Sequence, residues 1–142
     1  MSNGKITRQV GVLPYMEVGG RVVTVLITAR SNPDFWLFPK GHIEDGETAQ
    51  FSASMEAYEE AGLIGKVEKK ALGNYEFVKS GKTFKVSLYP FKIKKQLPTW
   101  PEAAARRRIE IELAAVGEYL HDARMVGMAE KLLAALRGKN GK

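Results

Sequence analysis

Glu56, Glu59 and Glu60 stand three and four positions apart, the spacing that gathers side chains on one sector of an α-helix. Like charges so placed repel one another, and desolvating several carboxylates together is costly without a positive partner. No Lys or Arg occurs between Gly41 and Leu63, where Glu44, Asp45 and Glu47 bring the local charge to −6. A hard divalent cation, Mg²⁺ or Mn²⁺, is the simplest compensation, because it takes carboxylate, carbonyl and water oxygens. The rest of the chain then carries +12, with six Lys and no acid from Lys79 to Lys95 and the run Arg106-Arg107-Arg108. The pattern is that of a metal site beside a polyanion site.

The 142 residues amount to one ordinary domain, and 44% hydrophobic with 27% charged residues is the composition of a soluble globular protein. Without cysteine there is no disulfide framework, thiolate zinc site or cysteine nucleophile. No apolar run reaches the roughly 20 residues that cross a bilayer, and Met1–Lys5 lacks a secretory core. A cytoplasmic protein with no membrane partner is expected. The net charge of +6 is too unevenly spread for a general nucleic-acid binder.

The elements that must position these residues follow from local pattern. Thr48–Ala61 has good helix formers, no Gly or Pro, and Gly62 placed to cap it. Its Ala49, Ala53, Ala57 and Ala61 form a small-residue stripe for close packing on a sheet, and the carboxylate sector overlaps that stripe. A solvated acidic face is the alternative, which this overlap opposes. Strands are expected at Thr7–Tyr15, with Pro14 marking an edge or bulge, and at Arg21–Thr28. Ser31–Asp34 reads as a loop before a short strand at Trp36–Phe38. Val67–Val78 and Thr83–Lys94 read as hairpin strands, and Arg107–Glu112 as a further strand. Leu113–Leu120 and Arg124–Leu136 look helical, with Gly138 as a stop. Together they predict a mixed sheet with helices on both faces.

The run Phe38-Pro39-Lys40-Gly41-His42-Ile43-Glu44-Asp45-Gly46-Glu47, taken with the helix, resembles the Nudix box. Gly41 opens it, Glu47 is its first glutamate, Glu56 stands in its Arg-Glu pair, Glu59-Glu60 is its Glu-Glu pair, and Gly62-Leu63 closes it. Met55 occupies the position of the family's arginine, and Ala57 is smaller than the usual aliphatic residue. The resemblance to the Nudix hydrolases implies one domain over residues 1–142, an α/β/α sandwich with a mixed β-sheet between helices. It also implies a metal site of Gly41 (through its carbonyl), Glu56, Glu59 and Glu60, with catalytic roles for Glu56, Glu59 and Glu47. A thioether can neither hold the loop nor orient carboxylates as the family's arginine does, so turnover is expected to be lowered rather than abolished. Packing of Met55 on Phe51 and Tyr58, its neighbours on the helix surface, is the expected substitute for the salt bridge.

Trp36-Leu37-Phe38-Pro39-Lys40-Gly41-His42-Ile43-Glu44 is similar to a run of the diadenosine polyphosphate hydrolases, and the layout from Arg8 to Leu136 to that of diphosphoinositol polyphosphate hydrolases. The implied activity is Mg²⁺-dependent cleavage of a diphosphate bond in a nucleotide-type or polyphosphate substrate, with Lys40, His42 and Arg30 in contact with it. Alternatives are ADP-ribose, a nucleotide sugar, an RNA 5′ end (the one nucleic-acid substrate expected), or a non-catalytic nucleotide sensor. Glu102, Glu110 and Glu112 are equal candidates for a carboxylate joining the site from outside the box, and His121 reads as a surface residue. Tyr75, Phe77, Tyr89 and Trp100 could stack on a base, although strand aromatics more often belong to the core. A monomer or a homodimer fits equally.

Overall fold

The computed structural model describes residues 5–140, with side chains described as far as residue 138. In chain order the strands are β1 (Ile6–Val18), β2 (Arg21–Ala29), β3 (Asn32–Leu37) and β4 (Lys40–His42). The helix α1 (Ala49–Ala61) follows, then β5 (Leu63–Val67), β6 (Gly73–Lys79), β7 (Lys82–Gln96) and β8 (Arg108–Glu112). A 3₁₀ segment (Leu113–Glu118) leads into the C-terminal helix α2 (Ala123–Asn140).

The sheet runs β3-β2-β1-β7-β5, with β4 added to β1, β6 to β7 and β8 to β2. It is mixed: β1 and β7 are parallel from Ile6 opposite Thr83 to Tyr15 opposite Lys92, and every other pairing is antiparallel. Because strand side chains alternate between faces, β1 sends Val10 and Val12 to one side and Leu13 and Tyr15 to the other. On the first side Val25, Ile27, Phe91 and Ile93 meet Ala53, Ala57 and Ala61 of α1, all buried. The alanine stripe does what its spacing predicts, letting helix backbone lie close to the sheet. On the second side Leu26, Val86 and Leu88 pack against Met125, Met128, Ala129, Leu132 and Leu133 of α2. The α/β/α sandwich is thus the observed architecture.

Several local expectations are corrected. Pro14 lies in an interior strand, not at an edge. It is tolerated because β1 pairs with β4 only through Gly11 and with β2 only from Met16, so no ladder partner awaits its missing N–H. Its carbonyl accepts from Thr24 Oγ1 at 2.6 Å instead. The loop expected at Ser31–Asp34 is already strand from Asn32, with Pro33 on the edge of the sheet, where proline costs no ladder bond. Val67–Val78 is two strands, β5 and β6, separated by residues 68–72, where the amides of Glu68 and Leu72 still reach Pro90 O and Leu88 O. Gly138 does not stop α2, which continues to Asn140.

Candidate active site

The central helix starts and stops where its sequence says. Thr48, in extended backbone, accepts from the Phe51 amide through Oγ1 at 3.0 Å. Gly62 takes the left-handed conformation at φ 67° and turns its N–H back to Ala57 O and Tyr58 O. A helix end leaves further carbonyls without intrahelical partners, and here the segment between β7 and β8, with the first residue of β8, supplies them. Glu102 N–H donates to Glu59 O (3.1 Å), Trp100 Nε1 to Glu60 O (2.9 Å), Arg108 Nη1 to Ala61 O (2.8 Å) and Leu97 N–H to Gly62 O (2.8 Å). The Arg108 guanidinium lies 4.1 Å over the Trp100 ring. Trp100, a base-stacking candidate by sequence, is instead a clamp on the carboxylate helix.

Glu60 is 7% exposed. Its Oε1 accepts the Lys40 N–H at 3.1 Å and its Oε2 lies 3.5 Å from Arg106 Nη2. Burial pushes the Glu60 carboxyl up, opposed by Arg106 and the Lys40 N–H. Glu56 is hydrogen-bonded to Glu60 and is pushed up to about 8, first by burial and then by Glu60, Glu59 and Glu102. Gly41 closes this corner: a Cβ there would fall 2.3 Å from Glu56 Cδ, so only glycine lets the backbone come so near the carboxyl.

Glu56 and Glu60 each line a different hollow. One, of about 370 Å³, is lined by Glu44, Asp45, Glu47, Phe51, Met55, Glu56 and Glu59. The other, of about 230 Å³, has Glu60 among Arg30, Lys40, Lys79 and Arg106. Lys40 and Lys79 also line a third space of about 340 Å³ with Gln9, His42, Phe77 and Lys82. There Phe77 and Phe84 are stacked at 5.0 Å and the Lys40 ammonium lies 4.6 Å over Phe77. Burial holds Lys40 below the usual lysine value, with Lys79 and Arg106 adding to the effect and Glu60 and Glu56 opposing it. Gln9, 7% exposed, has its Oε1 without a hydrogen-bond partner among the described residues.

The sequence candidates fall into place unevenly. Lys40, His42 and Arg30 all line the basic spaces, while Glu47, Glu56 and Glu59 line the acidic one. Of the three outside carboxylates, Glu102 reaches the site, its Oε1 2.7 Å from Arg106 Nε and 3.7 Å from Arg30 Nη1. Glu110 accepts from Gln96 and Glu112 pairs with Arg21. The arginine run is no free phosphate patch: Arg106 serves Glu60 and Glu102, Arg107 stacks on Trp36, and Arg108 clamps the helix. His121 is exposed against Phe35, as a surface residue should be. Sequence reasoning misses Arg106 as a site residue, since nothing in the local pattern distinguishes it from its two neighbours.

Among the described residues no group of three or more His, Asp or Glu side chains is placed to hold a metal ion. The carboxylates of Glu56 and Glu60 are nonetheless hard oxygen donors, and the missing Cβ of Gly41 lets its backbone approach Glu56 closely. That chemistry fits Mg²⁺ or Mn²⁺ completed by water, and not a soft metal.

The profile of the NUDIX domain matches residues 5–96. Two curated relatives from Arabidopsis thaliana are Nudix hydrolase 16, mitochondrial, and Nudix hydrolase 17, mitochondrial. The first is 38% identical over 63% of this chain and 53% of its own length. The second is 32% identical over 80% of this chain and 66% of its own length. The chain therefore spans half to two-thirds of the length of these relatives. A solved structure of a C. elegans Ap4A hydrolase binary complex superposes with a TM-score of 0.78 at 23% identity, covering 93% of this chain and 98% of that one. At that identity the likeness is one of fold.

Proposed function

Because this chain belongs to the NUDIX domain family, we propose that it is a Mg²⁺- or Mn²⁺-dependent pyrophosphohydrolase that cleaves a diphosphate bond in a nucleotide-type polyphosphate, a diadenosine polyphosphate being the favoured class. The observation that carries this reading is that the neighbouring carboxylates Glu56 and Glu60 line an acidic and a basic hollow respectively. A substrate whose phosphates lie along Arg30, Lys40 and Lys79 reaches the carboxylates with one end of its phosphate chain. A bound metal supplies charge neutralisation, an acidified water and stabilisation of the leaving oxygen.

The residues have distinct tasks in this reading. Gly41, Glu56, Glu59 and Glu60 hold the metal, Glu47 supports the loop, and Glu56 or Glu59 handles the proton of the attacking water. Lys40 brings a half-buried, partly desolvated ammonium to phosphate, where its attraction is stronger than at an exposed surface. His42, Lys82 and the stacked Phe77 and Phe84 line the space for the more distant moiety. A donor on that moiety would satisfy the orphaned Gln9 Oε1. The single domain proposed for the chain is supported by β8 and α2, which lie beyond the matched 5–96 and complete the same core.

No helix among the described residues is long and apolar enough to cross a membrane, and we propose the cytoplasm as the compartment. The test of function is a panel of diadenosine polyphosphates, diphosphoinositol phosphates, ADP-ribose, nucleotide sugars and capped RNA, with Mg²⁺ or Mn²⁺ and Glu59→Gln as control. Release of nucleotide from the diadenosine compounds, lost in the control, supports the proposal. No product from any compound overturns it, and calorimetric binding without turnover turns the assignment to a sensor.

A further inference from the structure

The box has no arginine of its own, since Met55 stands in that position, yet a guanidinium reaches its carboxylates from elsewhere. Arg106, on the segment between β7 and β8, is only 9% exposed along its side chain. Its Nη2 faces Glu60 Oε2 at 3.5 Å, its Nε lies 2.7 Å from Glu102 Oε1, and its Nη1 donates to Thr28 O at 2.9 Å. One planar fork thus ties together the end of α1, the outside carboxylate and strand β2. The Lys40 N–H holds the other oxygen of Glu60.

We infer that Arg106 is a positioning residue of the metal site, fixing Glu60 and Glu102 side by side from outside the box. Arginine suits this task because its donors lie in a rigid plane and the side chain loses little freedom per bond formed. Partners that orient a metal's ligands commonly carry a tenfold or greater share of its affinity. The inference rests on the proposed role of these carboxylates as metal ligands. A merely structural staple is the competing account, and the structure supplies its own comparison. Arg108 ties the same segment to the same helix, but through the neutral carbonyl of Ala61 and the Trp100 ring rather than through a carboxylate.

The experiment measures Mn²⁺ affinity by calorimetry and electron paramagnetic resonance, with melting temperatures and steady-state kinetics, for the wild type, Arg106→Gln and Arg108→Gln. Arg106→Gln is expected to weaken Mn²⁺ binding about tenfold and to lower kcat more than it raises KM. Arg108→Gln is expected to lower the melting temperature while leaving Mn²⁺ affinity within about twofold. Equal losses of affinity in the two variants would reduce Arg106 to a staple and overturn the inference. Unchanged or tighter binding in Arg106→Gln would overturn it as well, the latter marking Arg106 as a competitor of the metal. If Arg106→Gln does not fold, Arg106→Lys keeps the charge but loses the fork. An affinity drop of about threefold or more then supports positioning, and a smaller change overturns it. A wild type that binds no Mn²⁺ would instead bring down the metal-site reading itself.

Discussion

The carboxyl carbon of Glu56 occupies the place where a side chain on residue 41 would begin. Loop and helix are thus interlocked, and the close approach of the Gly41 backbone to the Glu56 carboxyl depends on a missing methyl group. Replacing Gly41 by Ala must drive Glu56 away or shift β4. The expected outcome for Gly41→Ala is a fall in kcat of about 10- to 100-fold with weaker Mn²⁺ binding. Steady-state kinetics and Mn²⁺ calorimetry check it, and wild-type affinity would refute it.

Met55 lines the hollow shared by Glu44, Asp45, Glu47, Glu56 and Glu59, and that lining contains no cation. The packing of Met55 on Phe51 and Tyr58 that the helix spacing predicts would be a weak substitute, because both are exposed, at 46% and 37%. The carboxylates are left without the replaced salt bridge. Met55→Arg is expected to raise kcat about two- to tenfold, by orienting Glu47 and its neighbours. A rate equal to that of the wild type across a range of Mg²⁺ concentrations would remove the argument.

Trp100 Nε1 satisfies Glu60 O within the clamp at the end of α1. Trp100→Phe keeps most of the ring but orphans a part-buried carbonyl, at a cost of about 1–3 kcal/mol. Urea unfolding should show that loss. A midpoint equal to wild type would mean that water replaces the indole.

Tyr15 and Tyr75 are 5% and 4% exposed. Both phenols are pushed well above the usual 10, by burial first, then by Glu68 for Tyr15 and by Asp122 for Tyr75. Tyr15 also donates to Glu68 Oε2 at 2.5 Å. A folded pKa above the unfolded one means that the native state keeps its protons longer. The contribution is therefore complete below about pH 10 and is lost as pH rises beyond it. Denaturant midpoints are expected to fall steeply above pH 10, with a shallower fall in Tyr15→Phe. Absorbance at the tyrosinate band should show two late-titrating phenols, and normal titration of all five tyrosines would contradict the assignment.

What can be read from sequence is what local chemistry decides. Thr48 and Gly62 mark the ends of α1 because capping acts over one turn, and the alanine stripe names the buried face because helical period does so. The Gly41–Glu47 loop is legible as a fixed set of intervals. Val67–Val78 reads as one strand from its apolar flanks, yet Glu68-Lys69-Lys70 interrupts the pattern at the break, and pairing with β7 separates the two strands on either side of it. Choosing Glu102 over Glu110 and Glu112 requires the tertiary path of the segment after β7. Arg106, Arg107 and Arg108 are chemically identical in sequence, and three different partners separate them.

The segment from Leu97 to Arg108 holds the last turn of α1 by four successive carbonyls and also carries Glu102 and Arg106 into the site. Such a segment is a poor candidate for exchange. Grafting in a related loop to change substrate preference would unseat the carboxylates in the same stroke. A change of specificity that spares the reaction centre is better sought at the β6–β7 hairpin, whose Phe77, Lys79, Ser80 and Lys82 line the basic space and take no part in the clamp.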